Sequence, residues 1–183
     1  MAQKTSYSSG SMKKQTPKVF VTSDTFFGRG KTARERGFSS AEDMNVEMIE
    51  RWNSKVGKTD AVIHLGNFAW SPSDVDEILP RLNGVIVFML ADHDQAILAA
   101  SDVDESINIL EDQIVTQDGV VLCHWPLEVW PGKDNKKYHF HGHTKPNVKT
   151  DITKMLRVNV GCDNWSLAPV ELNDTIELLK DFQ

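Results

Sequence analysis

Cysteine is scarce in this 183-residue chain: only Cys123 and Cys162 occur, each inside an apolar run. Two such residues point to reduced core thiols rather than a disulfide framework, so no chemistry is assigned to them. Long hydrophobic stretches are missing too. No run reaches the roughly 18 apolar residues that suggest a membrane span, and the first sixteen residues lack the apolar segment of a signal peptide. The default expectation is a cytoplasmic protein that does not engage membranes. Positive charge is also in deficit. With 26 acidic against 20 basic residues the formal charge is −6, which argues against a general nucleic-acid or membrane-surface binder, although local clusters such as Arg29 to Arg36 remain contact points.

What is present suffices for one globular domain, since 40% of the residues are apolar and can fill a substantial core. The polar head is set apart: Gly10-Ser11-Met12 reads as a cloning remnant with the native start at Met12. Residues 1–16 are therefore expected to be a flexible head, and 17–183 the domain.

Lys18 to Ser23 is a short β-rich run ending at Asp24 and a glycine-bearing loop. Ser40 with Asp43 resembles a capping box, and Met44, Met48, Ile49, Trp52 and Val56 then recur at helical spacing. Ala61 to Leu65 predicts a second strand, Ser71-Pro72 a helix through Ile78 and Leu82, and Val85 to Leu90 a third strand. Alternating strands and helices predict an α/β sheet whose ligands gather at the strands' carboxyl ends. Beyond residue 105 the pattern turns to short strands. Asp118-Gly119 marks a hairpin between Ile114-Val115 and Val120-Leu122, and Tyr138 to His143 and Leu156 to Val160 follow. Asn173 is the expected cap of a closing helix to Phe182.

A lone His or Asp at a strand end is usually a loop cap. Here five segments in order, Asp24-Thr25-Phe26, Gly66-Asn67, Asp92-His93-Asp94, His124 and His141-Gly142-His143-Thr144-Lys145, each place oxygen or imidazole groups just past an apolar strand. That is the layout of a metal site.

On these segments the chain resembles the calcineurin-like metallophosphoesterases, whose motifs run D-x-H, G-D, G-N-H-D or E, a lone H, and G-H-x-H. The stretches SDTFFG, FSSAEDMNVEMIERWNSKVG and HLGNF carry further similarity to the small bacterial and phage members, and the resemblance runs from about Lys18 to Leu172. It implies an αββα sandwich, with mixed central sheets flanked by helices. It also implies a site where two divalent ions share a bridging aspartate and an attacking hydroxide.

The departures fall on the ligands. For the first ion Asp24 is retained, but Phe26 and Lys145 stand where histidines belong, and Asn67 replaces the bridging aspartate. The first site is expected to be lost, with Lys145 paired to Asp24 and Phe26 filling the remaining volume. Asn67, Asp92, His124 and His143 match the second ion's ligands, enough for one Mn²⁺, Zn²⁺ or Fe²⁺. The resemblance also assigns His93 to phosphate and leaving-group chemistry with Asp94 orienting it, while Arg29 is either a phosphate-binding guanidinium or a solvated loop residue.

Two functions compete. One is a pseudo-phosphoesterase that binds a phosphate-containing small molecule, a nucleotide or a protein partner with little or no turnover; the other is an active hydrolase using one ion. A structural subunit assembling through Trp130 or Trp165 is a third reading.

Overall fold

Three apolar runs become the parallel strands β1 (Val19–Thr22), β2 (Ala61–His64) and β3 (Val85–Met89) in the computed structural model, which describes residues 16–102, 104–110, 114–117, 119–144 and 156–180. Short β4 (Asn108–Leu110) adds in parallel on one side and β9 (Val170–Glu171) antiparallel on the other, in the order β4-β3-β2-β1-β9. A second sheet has the order β5-β6-β7-β8, from β5 (Val115–Gln117), β6 (Val120–Cys123), β7 (His139–His141) and β8 (Arg157–Asn159). Its first pair is antiparallel, with Gln117 opposite Val120, and the rest are parallel. Asp118, half of the expected turn signal, lies outside the described residues, as do residues 1–15, Lys145 and Phe182.

Period-two alternation assigns the layers. Phe20, Val62, Ile86 and Phe88 face helices α1 (Gly30–Glu35), α2 (Ala41–Lys55), α3 (Pro72–Ile78) and α4 (Gln95–Ser101), meeting Met44, Met48, Trp52, Val75, Ile78 and Ile97. Val21, Ile63 and Met89 point the other way, against Leu122, Phe140 and Val158 of the second sheet and Leu179 of α5 (Leu172–Lys180). The fold is therefore mixed α/β: two packed sheets, parallel and antiparallel, flanked by helices. Among the described residues, Trp130 of the loop after β6 packs on His139 of the second sheet, ring centroids 5.2 Å apart. That residue is 4% exposed and its indole N–H is bonded to Lys137 O, while Trp165 is half-buried and bonded to Asn159 O.

Local signals fix most helix starts. Ser40 Oγ accepts from Asp43 N at 3.0 Å, and Ser71 and Asp74 form a reciprocal capping box ahead of Pro72. Each cap is worth about 1 kcal/mol. Two expectations are corrected. The third helix stops at Ile78 and gives way to a 3-10 turn, Leu79–Arg81, because Pro80 has no N–H to continue the ladder. The closing helix is capped by Glu171 rather than Asn173: its carboxylate accepts from Asn173 N at 3.1 Å and Asp174 N at 2.9 Å. No helix among the described residues is long and apolar enough to cross a membrane.

Candidate functional site

The carboxyl ends of β1, β2, β3, β6 and β7 come together, as expected for ligands of an open α/β sheet. Directly after β1 and β2 the chain runs as two zipped loops: Asp24 N bonds Gly66 O at 2.9 Å, Phe26 N bonds Asn67 O at 3.0 Å, and Phe27 N bonds Phe68 O at 2.8 Å. Gly66 has φ +108°, and a Cβ there would lie 2.4 Å from Ala91 Cβ and 3.1 Å from His124 Nδ1, so only glycine lets the loops close. Asp24, Phe26, Asn67 and His143 all have positive φ, between 49° and 64°. Asp, Asn and His tolerate that region, but a phenylalanine there is strained.

Asp92, His124 and His143 form a cluster whose ligand atoms lie within 4.8 Å of one another. His124, from the end of β6, is buried and gives its Nδ1–H to Leu65 O at 2.7 Å, leaving the Nε2 lone pair facing the cluster. Such a backbone-anchored imidazole is how proteins orient a metal ligand. Burial depresses the His124 pKa, against the opposing pull of Asp24, which keeps that lone pair unprotonated near neutral pH. One carboxylate and two imidazoles at this separation could hold one metal ion.

Asn67 bridges the two halves of the site by hydrogen bonds. Its Nδ2 donates to Asp24 Oδ1 at 2.8 Å and lies 3.4 Å from His124 Nε2, while its Oδ1 accepts from His93 N at 3.2 Å. Asp24 Oδ2 accepts from Ser23 Oγ at 2.8 Å and His143 N at 2.9 Å. Three donors thus surround the Asp24 carboxylate. Lys145, expected to pair with Asp24, lies outside the described residues.

Asp92, His93, Asp24, Asn67, His143, Phe26 and Arg29 share a cleft of about 250 Å³. The Asp94 carboxylate, expected to orient His93, turns inward: it is 2% exposed and accepts from the backbone N–H groups of Asn67, Phe68 and Ala91 at 2.7 to 2.9 Å. Burial raises its pKa despite those bonds. It ties the β2 and β3 loops together instead. Phe26, expected to plug a lost ion's volume, is half-buried on the cleft wall, 6.0 Å from the His93 ring. Arg29 is half-buried on the cleft wall and makes no ion pair or side-chain hydrogen bond among the described residues. Its guanidinium lies 4.8 Å from the Phe26 centroid and 4.7 Å from that of Trp70, so its N–H groups stay available to an anion.

Sequence reasoning missed Arg36, His64, Trp70 and Asp163. Arg36 reaches from α1 under the Asp24 turn, donating to Asp163 through Nε (2.7 Å) and Nη2 (2.8 Å), to Asp24 O and to Thr25 O, both at 2.7 Å. Asp163 is distant in sequence, so the only signal was membership of the Arg29 to Arg36 cluster. His64 closes β2 with a fixed tautomer: Nδ1 accepts from Gly66 N and Nε2–H faces Thr25 Oγ1, whose own proton goes to Phe68 O.

No protein-family model matches the chain. Over 83 residues, 43% of this chain, the sequence is 36% identical to the uncharacterised protein MJ1445 of Methanocaldococcus jannaschii; the match spans 47% of that protein, about half its length. It is 26% identical over 196 aligned positions to the Gene 66 protein of Mycobacterium phage D29, covering 90% of this chain and 97% of that one. The crystal structure of AQ665 from Aquifex aeolicus, a protein of unknown function, superposes with a TM-score of 0.68 at 19% identity, over 89% of this chain and 100% of that one. The Pseudomonas putida nuclease MPE superposes only at 0.46, with 17% identity over 68% of this chain and 60% of that one. The AQ665 superposition shows a shared fold.

Proposed function

We propose that this protein is a calcineurin-like phosphoesterase relative that has kept one metal position and binds a phosphate ester there with little or no turnover. The observation carrying the reading is the Asp92, His124 and His143 cluster, with the Arg29 guanidinium on the same cleft wall. A divalent ion held by these three side chains supplies Lewis-acid attraction for a phosphate oxygen. Arg29 offers two parallel N–H groups to a second oxygen. Turnover is disfavoured by the other half of the cleft. Asp24 already receives three hydrogen bonds, Phe26 offers no ligand, and Asn67 brings N–H groups toward Asp24 and His124 where the family has a bridging carboxylate.

A second reading, residual hydrolysis with one ion, is favoured by His93: its ring faces the cleft and makes no hydrogen bond among the described residues, leaving it able to protonate a leaving oxygen. Metal analysis after dialysis against Mn²⁺ is expected to give one ion per chain, and His124→Ala should lose it. Two ions per chain, or an ion that survives His124→Ala, would sink the single-site account. Hydrolysis of bis(p-nitrophenyl) phosphate abolished by His93→Ala would establish the second reading over the first.

A further inference from the structure

We propose that the stack of Phe26, Arg29 and Trp70 is the seat of a nucleobase, so that the phosphate ester is a nucleotide; this rests on the phosphate-binding reading above. Trp70 ends an otherwise buried run: Leu65, Gly66, Asn67, Phe68 and Ala69 are all buried, yet Trp70 is 54% exposed. Its backbone is not loose, because Trp70 N bonds Phe27 O at 2.9 Å beside the Phe27–Ala69 bridge, so the ring stands on the rigid pair of zipped loops. A fold gains nothing by leaving an indole in water, and a fixed, exposed ring beside a cleft marks a contact surface.

The neighbours make that surface planar and cationic. The Arg29 guanidinium lies over both the Phe26 and Trp70 rings, and Phe26 holds its place at φ 49°, a conformation that an aromatic residue adopts only under constraint. Bases stack on aromatic rings and on arginine planes alike, and a bicyclic indole matches a purine better than a phenyl group. Phe26 and Arg29 line the same cleft as Asp92 and His93, with the His93 ring 6.0 Å from that of Phe26, so a nucleotide stacked on this shelf would direct its phosphate into that cleft. A charge of −6 favours a free nucleotide over a nucleic-acid strand.

Calorimetry on the Mn²⁺-dialysed protein with AMP, ribose 5-phosphate, phenyl phosphate and adenosine separates the possibilities. AMP is expected to bind about tenfold or more tightly than ribose 5-phosphate, the share a stacked base contributes. Trp70→Ala should collapse that ratio toward one, and Trp70→Phe should keep most of it. A ratio near one in the parent, or one unchanged by Trp70→Ala, overturns the shelf; phenyl phosphate binding as tightly as AMP overturns the nucleobase assignment. Adenosine carries no phosphate. If it binds in a Trp70-dependent way while ribose 5-phosphate does not bind, the shelf stands and the phosphate reading falls.

Discussion

Arg36→Met is expected to destabilise the fold by about 3 to 5 kcal/mol, the range for removing one partner of a buried ion pair. The Arg36 side chain is only 6% exposed, and its donors serve the Asp163 carboxylate and the carbonyls of Asp24 and Thr25. Burial alone would lower its pKa; the hydrogen bond and charge of Asp163 override that and raise it, so the group stays cationic. Met leaves the Thr25 carbonyl without a donor, the Asp24 carbonyl with only the weak Cys162 S–H donor at 3.4 Å, and Asp163 without its partner. At 22% side-chain exposure Asp163 rehydrates only in part. Adding Asp163→Leu removes the stranded charge, so the double variant should unfold at a higher urea concentration than Arg36→Met alone. A single variant whose midpoint stays within about 1 kcal/mol of the parent, the level of a surface pair, would show that the clamp is redundant.

Arg36 also shows where sequence reasoning reached its limit. The strands β1 to β3, the Ser40 and Ser71 caps and the order of polar groups at strand ends were legible because each signal is local: an apolar run, a residue type and a spacing of three. Even the meeting of Asp92, His124 and His143 follows from that order once strands are placed side by side. The Arg36 to Asp163 contact links positions 127 residues apart, and no local pattern encodes it. Asp94 illustrates another limit. Its neighbour His93 made it look like an orienting carboxylate, but whether an acid faces a side chain or three backbone amides depends on how two loops cross. Phe26 was read as a lost ligand and as filler for the lost ion's volume. Its role beneath Arg29 depends on Trp70, which no ligand motif contains.

Lowering the pH from about 7 to about 4 is expected to remove several kcal/mol of stability, about 3 of them through His64 alone. Both ring nitrogens of His64 are committed in the neutral form: Nδ1 accepts from Gly66 N at 3.2 Å and Nε2–H faces Thr25 Oγ1 at 3.0 Å. Complete burial, with a smaller push from His124, lowers its pKa to about 3. Below about pH 6.5 the unfolded chain takes a proton there and the folded chain does not, so stability falls by about 1.4 kcal/mol per pH unit until the folded pKa is reached. His141, lowered to about 4 by burial, and His139, lowered for the same first reason, act with the same sign. Asp94 opposes them, since its raised pKa lets the folded state bind a proton before the unfolded state does. Urea midpoints at about pH 7 and about pH 4.5 test the balance, with His64→Phe as the control because the ring sits among Phe68 and Phe88. That variant should start less stable, having left Gly66 N–H without its acceptor and Thr25 Oγ1 without the His64 donor, yet lose less on acidification. Parallel losses in parent and variant would mean that His64 is protonated in the folded state, and that the hydrogen-bonded neutral ring beneath the Asp24 turn is not what acid breaks.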